Sequence, residues 1–520
     1  MTETAILNGT VIDGTGAGRF KADVLISGDR ITAVGDLSED TGARRIDASG
    51  MIVAPGFVDT HNHTDAWLLK TPNLLAKTSQ GFTTEVIMAD GISYAPVDPD
   101  TVPEWIFYMK SLNALSYSEY NGWKTLGEYM DRVDGANVQN AVAHIPYANV
   151  RSMACGFGRA VPDDFQMSLI RREIERGMAE GAVGVSTGLD YISQCFATTD
   201  ELVEACEVMA EQRGLYVTHV RYRKGIVPAL KEAVEIGRRA KVPVHVSHLK
   251  AADPATIEQV LEYVDGTARH EVDFSFDVYP YLPGSTMLNF LLPYEVWEDG
   301  PLAAIAKLKD PPLRRQFAAD LEPDRFPHTR IAWLQSAENA CHIGSSIMEY
   351  IEAVGKAPAD ALCDLLIEEG LAVLMVFHHG DDSLVSPFLS HDLYMMGSDG
   401  VYFPDGQVHP RVYGSAPRLL GPCVRDQKLF SLEEAVHKLS GRPAERFGLT
   451  RRGRIAEGCH ADVVLFDADT VADRATYENP HQLPTGIDSV IVNGVQVISG
   501  GAEVDPLPEV LPGRALKYHS

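Results

Sequence analysis

No apolar run in this 520-residue chain is long enough to cross a bilayer. The opening residues, Met1-Thr2-Glu3-Thr4-Ala5, also lack the basic and then apolar pattern of a secretory leader. Cysteine is sparse: Cys155, Cys195, Cys206, Cys341, Cys363, Cys423 and Cys459 form an odd set without paired spacing. A disulfide framework is therefore not expected, and reduced thiols in the cytoplasm are. Basic residues are in deficit, with Lys+Arg 45 against Asp+Glu 72 and a formal net charge of -27. A surface that acidic repels phosphate backbones and anionic lipid, so neither nucleic acid nor a membrane is expected as a partner. Solubility is reason enough for the charge.

What the chain does have is apolar residues, 45% of the total, enough for a large core in more than one domain. Residues 5–12, 24–26 and 31–34 read as short strands parted by turns at Asp13-Gly14-Thr15-Gly16 and Gly28-Asp29. The glycines of 14–18 read as turn residues rather than a phosphate cradle, because no Lys-Ser/Thr follows and no helical pattern opens. Strand patterns return in Ala461-Asp462-Val463-Val464-Leu465-Phe466-Asp467 and in Ser489-Val490-Ile491-Val492-Asn493-Gly494-Val495. The two ends, 1–54 and 451–520, are thus expected to build one small β-sandwich domain. Between them, residues 55–450 alternate apolar strands (81–90, 181–188, 215–220, 242–248) with helical stretches (199–213, 227–240). That alternation predicts a parallel α/β fold, and polar residues at strand C-terminal ends point to a closed (β/α)8 TIM-like barrel. Residues 272–281 and 371–377 compete for one late strand position. Residues 287–341 lack the alternation and are expected to form an insertion over the barrel mouth.

The chemistry begins where the apolar run Pro55-Gly56-Phe57-Val58-Asp59 leads into His61-Asn62-His63. Side chains two apart share a strand face, so both imidazoles can address one ion, although an isolated His-x-His is an ordinary surface pair. Two more strands end in histidine: Tyr216-Val217-Thr218-His219 and Val244-His245-Val246-Ser247-His248. By parity His248 is expected to face the axis with Val244 and Val246, and His245 to face the helices or cap one of them. Met395-Met396-Gly397-Ser398-Asp399-Gly400 ends an apolar run in a carboxylate; alone, its Asp-Gly is a turn. Imidazole nitrogens and a carboxylate are the donors that zinc and its neighbours prefer. Asp90 keeps step with Thr84, Val86 and Met88 and can reach the axis, whereas Glu85 is expected to face a helix or solvent. His378 and His379 are adjacent and point to opposite faces, so they make no joint site. His144 and Arg151, near another strand end, are left out of the candidate set.

The order His-x-His, His, His, Asp resembles the amidohydrolase superfamily, and the resemblance covers nearly the whole chain, including the split β domain. Finer motifs are similar to those of the N-acyl-D-amino-acid deacylases. They are Gly184-Val185-Ser186-Thr187-Gly188-Leu189-Asp190-Tyr191, Thr218-His219-Val220-Arg221, Ser247-His248-Leu249-Lys250, Tyr279-Pro280-Tyr281, and Gly397-Ser398-Asp399-Gly400 followed by His409-Pro410-Arg411-Val412-Tyr413-Gly414. The resemblance implies a metal-dependent hydrolase acting on the amide bond of N-acyl-D-amino acids, or of a related acylated amine bearing a carboxylate. The metal set is then His61, His63, Asp90, His219 and His248, holding one or two divalent ions, zinc foremost. One position departs from the pattern. Those deacylases place a cysteine ligand where this chain has Asp90, a harder donor. Residues 181–188 also offer no lysine of the kind that other members carbamylate.

The expected substrate is a small molecule. Asp399 is the expected general base and acid, a role the resemblance also implies. Lys250 and Arg411 are expected to grip a substrate carboxylate with help from Tyr281, and Tyr191 to hold the scissile carbonyl oxygen. Each has a plain alternative as a surface cation or a packed aromatic. Two other functions compete. One is a cyclic-amide hydrolase of the dihydroorotase or hydantoinase kind, against which the runs 247–250 and 409–414 weigh. The other is a non-catalytic scaffold, against which four histidines and Asp399 weigh.

Overall fold

Ile52–Pro55 is where the two ends of the chain meet. In the computed structural model, which describes residues 3–37 and 42–519, this strand pairs with Thr10–Val11 on one edge and Val463–Phe466 on the other. The seven-stranded sheet around it also carries Phe20–Lys21, Ile487–Val492, Val495–Ser499 and Ala502–Glu503. A four-stranded sheet, ordered Arg30–Gly35, Asp23–Ser27, Glu3–Leu7, Arg44–Asp47, lies against it. Ile6, Val24, Ile26 and Ile31 of the smaller sheet share a core with Val11, Val53, Val463, Leu465 and Ile491 of the larger. Burying alternate residues of two facing sheets is what holds such a β unit together. At its turn, Asp13 Oδ1 accepts from Thr15 N at 2.9 Å, and Gly14 sits at φ 85° where a Cβ would come within 2.2 Å of Gly453 O. Only glycine fits that approach.

The middle of the chain builds eight parallel strands in sequence order. They are β1 (Phe57–Asp59), β2 (Phe82–Ile87), β3 (Asn140–Ala143), β4 (Gly184–Gly188), β5 (Leu215–His219), β6 (Val244–Val246), β7 (Phe274–Val278) and β8 (Tyr394–Met396). β1, β2 and β3 pair in one sheet. Strand β3 resumes at Ile145–Pro146, which pairs with β4, and pairing then runs unbroken to β8. β8 meets β1 again through Thr60 N, which donates to Met396 O at 3.2 Å, and through Gly400–Val401, parallel to Asn62–His63.

Helices between the strands follow their apolar spacing. Ile226–Ala240 buries Ala229, Leu230, Ala233, Val234, Ile236, Gly237 and Ala240, a stripe at three-to-four spacing. Asp163 caps Asp164–Glu180 by accepting from Gln166 N. The helix expected over 199–213 is α-helical only over Thr199–Cys206 and tightens to 3₁₀ over Glu207–Gln212.

The competition for the late strand position resolves in favour of β7. Val373–Phe377 instead lies antiparallel between Ser285–Met287 and Thr329–Leu334, in a separate three-stranded sheet. No described helix is long and apolar enough to cross a membrane, and all seven cysteines are free.

Val58, Val86, Val142, Val183, Leu215, Val217 and Met395, on or beside the central strands, share a core with Ala444, Phe447 and Leu449. Phe447 is fully buried there. Phe447→Ala should therefore lower stability by about 3–5 kcal/mol, the range for a buried aromatic cut to alanine. The fall should appear in the denaturant midpoint at constant m-value. A shift worth less than about 1 kcal/mol would mean that the ring is not needed to fill this interior.

Candidate metal centre

Asp90 stands among four imidazoles. Its Oδ1 is 3.5 Å from His61 Nε2 and 3.8 Å from His248 Nε2, and its Oδ2 is 3.6 Å from His63 Nε2 and 4.0 Å from His219 Nδ1. Asp399 Oδ1 approaches His63 Nε2 at 3.3 Å and His61 Nε2 at 3.7 Å. His219 Nδ1 and His248 Nε2 lie 3.0 Å apart. The donor atoms of His61, His63 and Asp399, and those of His61, Asp90 and His248, form two sets each confined within 4.8 Å. These six residues come from the ends of β1, β2, β5, β6 and β8, so the parallel order of the strands delivers all of them to one end.

On three of the rings the other nitrogen faces an oxygen. His61 Nδ1 is 3.7 Å from Asp277 Oδ2, His219 Nε2 is 3.7 Å from Asp190 Oδ2, and His248 Nδ1 is 3.1 Å from the Tyr222 hydroxyl. Rings that turn one nitrogen to a shared centre and the other to a carboxylate or hydroxyl have the arrangement of metal-ligating histidines. Among the described residues, His61 Nε2 and Asp90 Oδ1 find no hydrogen-bond partner though buried, which is costly unless something else meets them. Burial opposes a charged His61 ring, but Asp90 and Asp277 outweigh it and push its pKa up to about 10. Burial also opposes the charged form of Asp399, and Arg411 with His63 outweighs it, holding that carboxyl well below the usual range. The centre calls for positive charge, and its nitrogen and carboxylate donors suit a divalent cation such as zinc.

Backbone strain accompanies this convergence. Met88 (φ 64°), Asp90 (φ 57°), His248 (φ 39°) and Asp399 (φ 49°) are all left-handed, a conformation that costs energy for residues with a Cβ. The turn at His248 also explains a correction. Val244 and Val246 belong to the core shared with the helices, and His245 points to the interior, on Asp277 Oδ2 at 2.9 Å and Ser275 Oγ at 2.8 Å. Its parity was expected to do the reverse. His248 lies beyond the strand, where the chain has turned and parity no longer applies.

Beside the imidazoles, Arg411 is fully buried, with Nη1 2.8 Å from Asp399 Oδ2 and Nη2 donating to Ser285 O at 3.2 Å. Its Nε has no hydrogen-bond partner among the described residues. Lys250 Nζ donates to the Tyr279 hydroxyl, and burial, with Arg411 nearby, pulls the ammonium down to about 7. Tyr281, expected to reach a substrate carboxylate, instead donates to Asp473 Oδ2 at 3.1 Å and lies under the Arg418 guanidinium. The tyrosine beside Lys250 and Arg411 is Tyr279, the other tyrosine of the same motif. Tyr191 packs 4.9 Å from the His219 ring, its hydroxyl 3.1 Å from Thr286 Oγ1.

Sequence reasoning missed a buried set behind β1. Lys77 binds Asp59 and donates to Ser398 Oγ at 2.5 Å, and Asp59 Oδ1 accepts from Ser398 N at 2.7 Å and His61 N at 3.4 Å. Glu85 is buried too, accepting from Gln139 Nε2 at 2.7 Å; burial pushes it up to about 8 against the pull of Lys77. Asp277 and Asp190 were also missed. A lone aspartate inside the apolar β7 was the available signal for the first, and the run 184–191 for the second. His144 lies deep against Phe447, Arg151 is buried on Glu201 at 2.8 Å, and His378 and His379 take separate partners in Glu478 and His328.

Known proteins match this arrangement along most of the chain. Residues 44–498 match the amidohydrolase family. The chain is 34% identical to a D-aminoacylase of Alcaligenes xylosoxydans xylosoxydans over 498 residues, 95% of this chain and 93% of that protein. It is 33% identical to an N-acyl-D-aspartate deacylase of the same organism, over 99% of this chain and 96% of that one. A crystal structure of N-acyl-D-glutamate deacylase from Bordetella bronchiseptica, complexed with zinc and a phosphonate mimic of the tetrahedral intermediate, is similar with a TM-score of 0.82. That likeness is at 30% identity and covers 99% of each chain. This chain belongs to the amidohydrolase family.

Proposed function

We propose that this protein is a divalent-metal hydrolase that cleaves the amide bond of N-acyl-D-amino acids. The observation that carries the proposal is the closed set of four imidazoles and two carboxylates, with His61 Nε2 and Asp90 Oδ1 lacking partners, beside the buried cations Arg411 and Lys250. The deacylase relatives support the substrate class, and zinc is the metal proposed. Partnerless donor atoms weigh against a scaffold that has lost its chemistry. The supporting frame is a closed (β/α)8 barrel over residues 55–450, with 1–54 and 451–520 as the β domain and 287–341 within the layer over the mouth. The strand order and the Thr60–Met396 bond support closure. Free cysteines fit a cytoplasmic enzyme.

His219, His248 and Asp90 would hold one ion, and His61 and His63 a second or weaker position. A cation bound there supplies a Lewis acid, which makes water easier to deprotonate and draws electrons from the amide carbonyl. Asp399 takes the proton of the attacking water and hands it to the departing nitrogen. Asp277, Asp190 and Tyr222 keep the imidazoles oriented. Arg411 spans two tasks, with one face on Asp399 and its free Nε toward a substrate carboxylate, which Lys250 meets from the side of Tyr279. Tyr191 donates to the carbonyl oxygen.

Chelation should abolish turnover, and zinc, cobalt or manganese should restore part of it. Assayed on acylated D- and L-amino acids and cyclic amides, the loaded enzyme should act on the D series. Full activity in protein shown to be metal-free, or a preference for cyclic amides, would contradict the proposal. Asp399→Asn should lower kcat by roughly 100-fold or more, the scale of general acid–base catalysis; near wild-type turnover with metal retained would remove Asp399 from that role. Asp90→Ala should lose metal, whereas Asp90→Cys should keep it with preference shifted toward zinc, since thiolate is the softer ligand. Normal metal content in Asp90→Ala would show that the ligands lie elsewhere.

A further inference from the structure

Between Val463–Phe466 and Ile487–Val492, the small β unit sends residues 467–486 to the chain around His409. Several contacts fasten this excursion. Gln407 Nε2 donates to Tyr477 O at 2.6 Å, and His481 bonds the Tyr413 hydroxyl at 2.9 Å and Gly406 O at 2.6 Å. Asp473 accepts from Tyr281, and a Cβ on Gly414 would come within 2.9 Å of Asp473 Cβ and 2.5 Å of Tyr281 Oη. The packing leaves no room for a side chain there, so the excursion and the 406–414 segment are held as one piece.

His409 is at the centre of that piece and is 1% exposed. Its Nδ1 accepts from Arg411 N at 3.0 Å, so the proton of the neutral ring is on Nε2. Nε2 then donates to Pro283 O at 3.1 Å, with the Tyr477 hydroxyl 3.2 Å away. Pro283 O also receives Lys250 Nζ at 3.5 Å. One ring therefore fixes the backbone of Arg411 and the carbonyl on which Lys250 rests. The ring is packed edge-on against Tyr477, with centroids 5.0 Å apart.

We infer that His409 is a positioning residue for the two cations, and that Tyr477, carried in from the small β unit, holds His409 in the orientation that sets Arg411 and Lys250 for one carboxylate. Neither residue touches the substrate. The inference rests on the proposal that Lys250 and Arg411 bind the substrate carboxylate.

The test compares an N-acetyl-D-amino acid with its carboxamide on zinc-loaded enzyme, with metal content and Tm measured for every variant. Lys250→Met sets the benchmark and should lose more on the acid than on the carboxamide. Tyr477→Phe removes one oxygen. It should raise KM for the acid by about 3- to 10-fold, the scale of one neutral hydrogen bond, with less change on the carboxamide and kcat held. His409→Phe keeps the ring packing but loses both hydrogen bonds, and should show the same selectivity more strongly. His409→Asn, whose Oδ1 can still accept from Arg411 N, should recover part of the loss. Should His409→Phe fail to fold, Tyr477→Phe and His409→Asn decide. Selective loss in Lys250→Met, with equal loss or none on the two substrates in Tyr477→Phe and His409→Asn, overturns this inference alone. Equal loss on both substrates in Lys250→Met overturns the carboxylate proposal and this inference with it.

Discussion

The carboxylate of Asp90 and the four imidazoles around it set the terms for the rest of the structure. Each of those five side chains is buried, and burying polar groups without satisfying them is costly. Only a parallel arrangement delivers them together, because every central strand then ends on the same side and contributes its last residues to one small volume. The short β6 and the turn after it exist within that constraint: His248 reaches the centre through a left-handed residue, not through a regular strand position.

A second layer of buried charge keeps the first in place. The Asp277 carboxylate faces the His61 and His245 rings and accepts from the His248 amide, so one carboxylate of β7 orients residues from β1 and β6. Asp59 and Lys77 do the same between β1 and the segment after β8, through Ser398. Buried ion pairs are poor sources of net stability, and removing one partner is far worse than never having had either. Their position here suits a different service: they bind the seam where the last central strand meets the first.

The strand-end histidines and Asp399 were legible in the sequence because an apolar run followed by a polar terminus is a local pattern. So were the short strands of both chain ends, whose β-branched runs flank turn residues. His245 was misread because its parity was judged against His248, which lies beyond the strand, where a two-residue period carries no information. Tyr281 and Tyr279 are close in sequence and alike in chemistry, and only contacts with Asp473, Arg418, Lys250 and Arg411 separate them. Val373–Phe377 is wholly apolar, whereas Phe274–Val278 carries Ser275 and Asp277, and their sorting into different sheets depends on partners distant in sequence. Arg411 is the instructive case: its motif marked it for attention, yet its ion pair with Asp399 is a tertiary fact that no local pattern contains.

Joining both ends of the chain at Ile52–Pro55 has a consequence in time. About 400 residues separate Pro55 from its partner Val463, so at roughly 5–20 residues per second the ribosome needs about 20–80 s to make the segment that covers this strand. Until then one edge of Ile52–Pro55 stands open, with unpaired backbone groups of the sort that recruit other strands. The nascent chain must therefore pass through synthesis with its first domain half built. Shelter for that edge, from a chaperone or from the growing chain itself, becomes part of what this architecture demands of the cell that makes it.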